Sequence, residues 1–236
     1  MIVYGRNIIL EALKSGHKID EIKANSQTLK QFGEILKSAK KKGIRVKTVD
    51  NRELDGYTDG AFHQGVAAKI KDFEPLTFED MLKAEPRDGP LVLLDQINDV
   101  RNFGAIARTA LAAGAKGVIL SQRRSAPLSP AALKVSAGAF FHLKTAYFNN
   151  LARIIDLLKK EDYWIYGADA HSKTSLFDVD FAPKTAVVFG GEEKGLRPLV
   201  KSGCDVIFKI PMAGSVESLN VSVAAAITLY EILRNK

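Results

Sequence analysis

Three segments, each following a short apolar run, hold the side chains whose types and spacing are suited to chemistry. The first, Asn98 to Arg108 (NDVRNFGAIAR), carries Asn102 and Arg108. At helical spacing Arg108 has Gly104, Ala105, Leu111 and Ala112 around it and therefore no acidic partner on its own helix. It reads either as a solvated arginine or as a guanidinium held against packed backbone near a helix N-terminus, a place suited to a phosphate. Asn102 reads either as the cap of that helix or as a polar group of the same site. In the second segment, Gly190 to Leu196 (GGEEKGL), the glycine pair lets the chain turn sharply and a ligand approach the backbone, and Gly195 permits a further turn. Glu192 is a candidate functional carboxylate, while Glu193 reads as an acid favouring a helix N-terminus near Leu196. The third segment, Pro211 to Ser222 (PMAGSVESLNVS), places Gly214, Ser218 and Asn220 ahead of a helix, with Ser218 as a candidate cap.

The elements that must position these residues read as an open, mainly parallel α/β sheet. The apolar runs 91–95, 185–189 and 206–210 are buried strands, and such sheets bind ligands at the carboxyl ends of their strands, which puts all three loops at one edge. Helices over 104–113 (closed by Gly114), 150–160 and 218–234, with strands over 117–120 and 163–167, complete this part. The helix over 218–234 is apolar nearly all round, through Val221, Val223, Ala225, Ile227 and Leu229, and must be covered on several faces, in part by a subunit interface. The first 72 residues form a smaller α/β module. In it Ile8, Ile9, Ala12 and Leu13 make a helical stripe, Ile19 to Ala24 a strand, Leu29 to Lys42 a Lys-rich helix closed by Gly43, and Ile44 to Val49 another strand. Residues 73–90, with Pro75, Pro86, Gly89 and Pro90 among acidic and polar residues, are a linker in which Phe78 to Ala84 makes a helical turn or two, and 91–236 is the second domain.

Composition narrows the function classes. The 236 residues carry a formal charge of +7, with Lys37, Lys40, Lys41, Lys42, Arg45 and Lys47 crowded in one segment and Arg123 and Arg124 in another. Such clusters can track a phosphate backbone. No apolar stretch reaches the roughly 18 residues that span a bilayer, and Arg6 and Asn7 interrupt any signal-peptide core, so the expectation is a cytoplasmic protein with no membrane partner. The single cysteine, Cys204, excludes an internal disulfide and a Cys-rich metal cage and reads as structural. His17, His63, His142 and His171 lack ligand spacing, so no metal is expected. There is no G-x-G and no G-x-x-x-x-G-K-[ST], which removes the dinucleotide fingerprint and the P-loop. Asp169-Ala-His171 lacks the nucleophile elbow of a hydrolase.

Together the three loops resemble the motifs of the SpoU (TrmH-type) branch of the SPOUT methyltransferases, and within it the RlmB-type enzymes that methylate a guanosine ribose of 23S rRNA. Val3 to Asn7 (VYGRN) and Phe62 to Ala68 (FHQGVAA) resemble the opening and closing signatures of the RNA-binding domain that precedes many such catalytic domains. Lys134 to Ala139 (KVSAGA) also resembles a family segment, although small residues there serve tight packing as readily as a site. The resemblance implies a trefoil-knotted, mainly parallel catalytic domain behind a small L30e-like α/β domain. It further implies a homodimer acting on RNA and not DNA, with S-adenosyl-L-methionine as cofactor. Carried onto this chain, it makes Asn102, Arg108, Glu192, Ser218 and Asn220 catalytic residues and places the cofactor on the backbone of Gly190, Ile210 and Leu219. Ribose methylation of tRNA, or RNA binding without catalysis, are the alternatives. The second of these needs no intact Arg108, Glu192 and Asn220, all of which are present.

Overall fold

The computed structural model describes residues 1–74, 76–84, 88–191 and 195–235. The chain forms two compact units, one of Met1–Glu74 with Leu128–His142 and one of Pro75–Pro127 with Leu143–Lys236. Leu128–His142 groups with the first unit although it lies within the second in sequence.

The first unit holds a four-stranded sheet in the order β1, β4, β2, β3. Strand β1 (Ile2–Tyr4) leads to helix α1 (Arg6–Ser15), which buries Ile8, Ile9, Ala12 and Leu13 at helical spacing. Strand β2 (Ile19–Ala24) follows, then α2 (Ser26–Gln31) and α3 (Gly33–Lys41). The single helix expected over Leu29 to Lys42 is broken at Phe32, which leaves helical angles (φ −119°, ψ 59°) while its ring lies 4.1 Å beneath the Arg6 guanidinium carbon. Lys37, Lys40 and Lys41 sit on the exposed face of α3, and Arg45 and Lys47 on the edge strand β3 (Arg45–Thr48), so the basic cluster is solvated. Helix α4 (Asn51–Tyr57) is capped by Asp50, whose side chain accepts from Glu53 N at 2.8 Å, and β4 (Val66–Ile70) closes the sheet between β1 and β2.

In the second unit, α5 (Phe78–Lys83) forms where a helical turn or two was expected. A seven-stranded parallel sheet follows in the order β7, β6, β5, β10, β8, β11, β9. Chain order runs β5 (Leu91–Asp95), α6 (Val100–Ala112) and β6 (Gly117–Ser121), then the first unit's α7 (Pro130–Val135). It continues through β7 (Thr145–Phe148), α8 (Leu151–Lys160), β8 (Trp164–Ala168), β9 (Thr174–Ser175) and β10 (Thr185–Gly190), and ends with α9 (Pro198–Ser202), β11 (Val206–Lys209) and α10 (Val221–Arg234). Two of the three runs read as buried strands are buried on both faces, Leu91, Val92, Leu93 and Leu94 being fully inaccessible, whereas in β11, next to the short β9 at the sheet edge, only Phe208 is buried. Leu93, Ile119, Val188 and Ile165 pack against Ile155 and Leu158 of α8.

Helix α10 buries Val221, Ala225, Leu229 and Ile232 but leaves Val223, Tyr230 and Leu233 exposed. Its apolar circumference is thus only partly covered by its own unit. Burial pushes the Cys204 thiol up to about 12 and its Sγ lies 3.3 Å from Val200 O, so it is not a nucleophile at neutral pH. Among the described residues no helix is long and apolar enough to cross a membrane, and no cluster of His, Cys, Asp and Glu could hold a metal.

Candidate active site

Because every strand of the second sheet runs parallel to its neighbours, β5, β10 and β11 release their loops at one edge. Gly190 stands opposite Asp95 in register, and β8 separates β10 from β11. All three expected loops are therefore brought to the carboxyl edge.

An acid at the end of β5 ties the first two loops together, and the sequence reading missed it. The Asp95 side chain is fully buried and accepts from Arg197 Nε at 2.7 Å, from Arg197 N at 3.2 Å and from the guanidinium Nη2 at 2.6 Å. A buried carboxylate is tolerable only with such multiple charge-assisted donors. The available signal was an aspartate closing a run of four apolar strand residues. Gln96 then takes a left-handed backbone (φ 63°), and its N–H donates to Ser121 Oγ at 3.3 Å. Ser121 Oγ donates in turn to Arg123 O at 3.2 Å, which fixes the loop after β6 beside the first loop and sets the exposed Arg123 and Arg124 on the same edge.

Helix α6 begins four residues before the expected position, because Asp99 caps it by accepting from Arg101 N at 2.7 Å. Asn102 is therefore not the cap but lies in the first turn, buried, where its Oδ1 accepts from Asn220 Nδ2 at 3.1 Å. Asn220, not Ser218, caps α10, with its Oδ1 accepting from Ser222 N at 2.9 Å and Ser222 Oγ at 2.6 Å. One asparagine thus satisfies the start of α10 and joins it to the start of α6. Ser218 is exposed in the loop ahead of it.

Arg108 is the ninth residue of α6, about 12 Å along the axis from its N-terminus, so the expected placement near that N-terminus does not hold. It is exposed, and none of the ion pairs among the described residues involves it.

The second loop returns on itself, with Gly195 N donating to Gly191 O at 2.9 Å. Gly195 supplies the left-handed turn (φ 59°), as expected. The glycine pair acts differently from its expected role, since neither has positive φ. A Cβ on Gly190 would lie 2.1 Å from the Gly195 carbonyl carbon, so Gly190 is small to admit the chain's own backbone. Glu192 and Glu193 lie outside the described residues. In the third loop, among the described residues, no backbone hydrogen bond involves residues 212–219, and Ile210 and Leu219 are half-buried. Unpaired peptide groups beside half-buried aliphatic residues fit a heterocycle with a hydrogen-bonding edge.

The loop after β8 emerges between Gly190 and Ile210. Burial raises the Asp169 carboxyl, but its hydrogen bond and ion pair with Lys201 outweigh this and hold it below the ordinary carboxylate range. Asp169 also accepts from His171 N at 2.9 Å, and Ser172 Oγ donates to Ile207 O at 2.7 Å. The Asp169-Ala-His171 triplet is a loop brace.

The parallel sheet brings the three loops to one edge, and comparison with known proteins identifies the class of protein. Residues 89–230 match the SpoU rRNA Methylase family, and residues 2–76 match the domain described as RNA 2'-O ribose methyltransferase substrate binding. A putative TrmH family tRNA/rRNA methyltransferase, YacO of Bacillus subtilis, is 38% identical over 99% of this chain and 95% of its own length. The SpoU methyltransferase AviRb of Streptomyces viridochromogenes, solved with AdoMet, superposes with a TM-score of 0.80 at 24% identity, over 99% of this chain and 89% of that one. An AdoMet-bound rRNA methyltransferase of Sinorhizobium meliloti gives 0.79 at 24% identity, over 99% and 86%. The chain belongs to the SpoU rRNA methylase family and is an RNA 2′-O-ribose methyltransferase that uses S-adenosylmethionine.

Proposed function

We propose that the RNA is large-subunit (23S) ribosomal RNA and the acceptor the ribose 2′-hydroxyl of a guanosine. The observation that supports the site assignment is the hydrogen bond from Asn220, at the start of α10, to Asn102 of α6, the helix that also presents Arg108, which links the first and third motifs. In this reading S-adenosylmethionine supplies an electrophilic methyl group and is held by backbone groups of Gly190, Ile210 and Leu219. Arg108 grips a phosphate of the target nucleotide and stabilises the alkoxide as the 2′-hydroxyl proton passes to solvent, the oxygen taking the methyl and S-adenosylhomocysteine leaving as the thioether. It does so as a cation, since a guanidinium does not serve as a base near neutral pH. Asn102, Asn220 and Ser218 line the site, and Glu192 is assigned as the catalytic carboxylate of the second motif.

Residues 1–72 serve as the RNA-reading domain, 73–90 as the linker and 91–236 as the catalytic, trefoil-knotted domain. The match of residues 2–76 to the substrate-binding domain supports the first assignment, and the return of β10 between β5 and β8 supports the last. The exposed Val223, Tyr230 and Leu233 of α10 support a homodimer. The enzyme works in the cytoplasm. A tRNA target is the second reading, favoured by relatives whose names cover both RNAs. Mapping ribose methylation on total RNA from cells lacking the protein decides between them. Loss of one 2′-O-methylguanosine in large-subunit rRNA is expected, loss of a tRNA mark establishes the second reading, and unchanged maps overturn both.

A further inference from the structure

The signature Phe62-His63-Gln64-Gly65 has a physical logic that lies wholly within the first unit. Three of its residues are pinned. His63 Nε2 contacts Asp55 Oδ1 at 3.0 Å and its Nδ1 accepts from Gly65 N at 2.9 Å, which sets the ring proton on Nε2. Gln64 is held in a left-handed conformation (φ 54°) by exchange with Arg6, whose N donates to Gln64 Oε1 at 3.1 Å and whose Nε donates to Gln64 O at 3.2 Å. Gly65 is left-handed as well (φ 79°), and a Cβ there would meet Thr28 Oγ1 at 2.2 Å. A non-glycine residue kept at positive φ by so many partners marks a loop whose shape is over-determined.

What this loop displays is Phe62, 73% exposed at its tip. It is the most exposed of the aromatic side chains among the described residues, ahead of Phe177 at 56% and Trp164 at 53%. Its surroundings are cationic. The Lys134 ammonium lies 5.5 Å from the Phe62 ring centroid and 4.9 Å from that of Tyr4, and it donates to Phe62 O at 3.2 Å. An exposed ring beside an ammonium that has no carboxylate partner among the described residues is complementary to a flat base followed by its phosphate.

We propose that Phe62 is a stacking platform for an unpaired base of the RNA substrate, with Lys134 beside it to receive an adjoining phosphate. The inference rests on the RNA-methyltransferase reading and adds to it a preference of the first unit for single-stranded over paired RNA. It also gives the His63-Gln64-Gly65 triplet the role of positioning the platform.

The test uses the full-length protein, a short fluorescein-labelled single-stranded oligoribonucleotide and a fully paired RNA duplex of the same length, followed by fluorescence anisotropy over a range of salt. Phe62→Ala should weaken single-strand binding about tenfold with an unchanged salt slope, leave the duplex unaffected, and be rescued by Phe62→Trp. Lys134→Ala should flatten the salt slope instead. The side chain is exposed, so both variants should unfold thermally with the wild type. Single-strand binding by Phe62→Ala within twofold of wild type, or equal losses on strand and duplex, overturns the platform while leaving the methyltransferase reading intact. Failure of the wild-type protein to bind either RNA overturns the reading beneath it.

Discussion

Arg197→Ala should destabilise the second unit far more than loss of any surface ion pair, because it strands a buried charge. The Asp95 side chain has no solvent access and loses three contacts made by two donor nitrogens, Nε and Nη2, although the backbone N–H of position 197 remains. Removing one partner of a buried pair costs about 3–5 kcal/mol. The Arg197 side chain is 41% exposed, so water enters the vacated space, and the lower end, about 3 kcal/mol, applies. For a chain of this size that corresponds to a fall in Tm of roughly 6–12 °C. Thermal and urea unfolding followed by circular dichroism measure it, with Lys71→Ala as the control, since the Lys71–Glu74 pair is exposed on both sides and should give no measurable change. Adding Asp95→Asn to Arg197→Ala removes the uncompensated charge and should recover at least half of the loss. A destabilisation below about 1 kcal/mol, or a double variant no more stable than Arg197→Ala, would refute the claim that this pair is held by burial and not by surface electrostatics.

Arg108→Ala should lower kcat by at least about a hundredfold, and Arg108→Lys should recover little because it lacks the planar fork. Affinity for S-adenosylmethionine by calorimetry should stay near wild type, and a tenfold loss there would move Arg108 to the cofactor. The wild-type protein should sediment as a dimer and Val223→Glu as an inactive monomer with an unchanged fold. Ala225→Glu would not test this, because Ala225 is fully buried within its own unit. Asp169 has its folded-state pKa depressed, so its contribution to stability is present above the ordinary carboxylate range and is lost as pH falls through the folded value. Asp169→Asn should therefore be less stable than wild type at neutral pH, and the gap should close on acidification. A gap that persists unchanged at low pH would remove the ion pair with Lys201 as its cause.

Much of the sheet was legible because β5, β6 and β10 carry buried apolar runs (Leu91–Leu94, Val118–Leu120 and Ala186–Phe189), and α1 because its buried residues recur at helical spacing. The start of α6 was not legible, since Val100 to Phe103 give no clear apolar period and the decisive feature is the Asp99 cap. Helices α4, α7 and α9, at five to seven residues, are too short to show a period at all. The clustering of the three loops followed from strand direction, a general property of parallel sheets. The contacts that organise them did not follow, because Asp95 and Arg197 stand 102 residues apart and Asn102 and Asn220 stand 118 apart. Phe62 was visible as part of a motif, but its exposure depends on backbone angles at Gln64 and Gly65 that no residue pattern specifies.

The membership of Leu128–His142 in the first unit bears on the order in which a ribosome can release a finished fold. Residues 1–74 emerge first, but Ala132, Leu133 and Phe140, which are buried in that unit's final form, are made only after β5, α6 and β6 of the other unit have been synthesised. During that interval, on the order of seconds at ordinary elongation rates, the first unit exists without the segment that completes it. The protein therefore cannot mature as two successive independent beads. The first unit becomes whole only when the strands of the second are already under construction, so the two units reach their final form within the same stretch of translation.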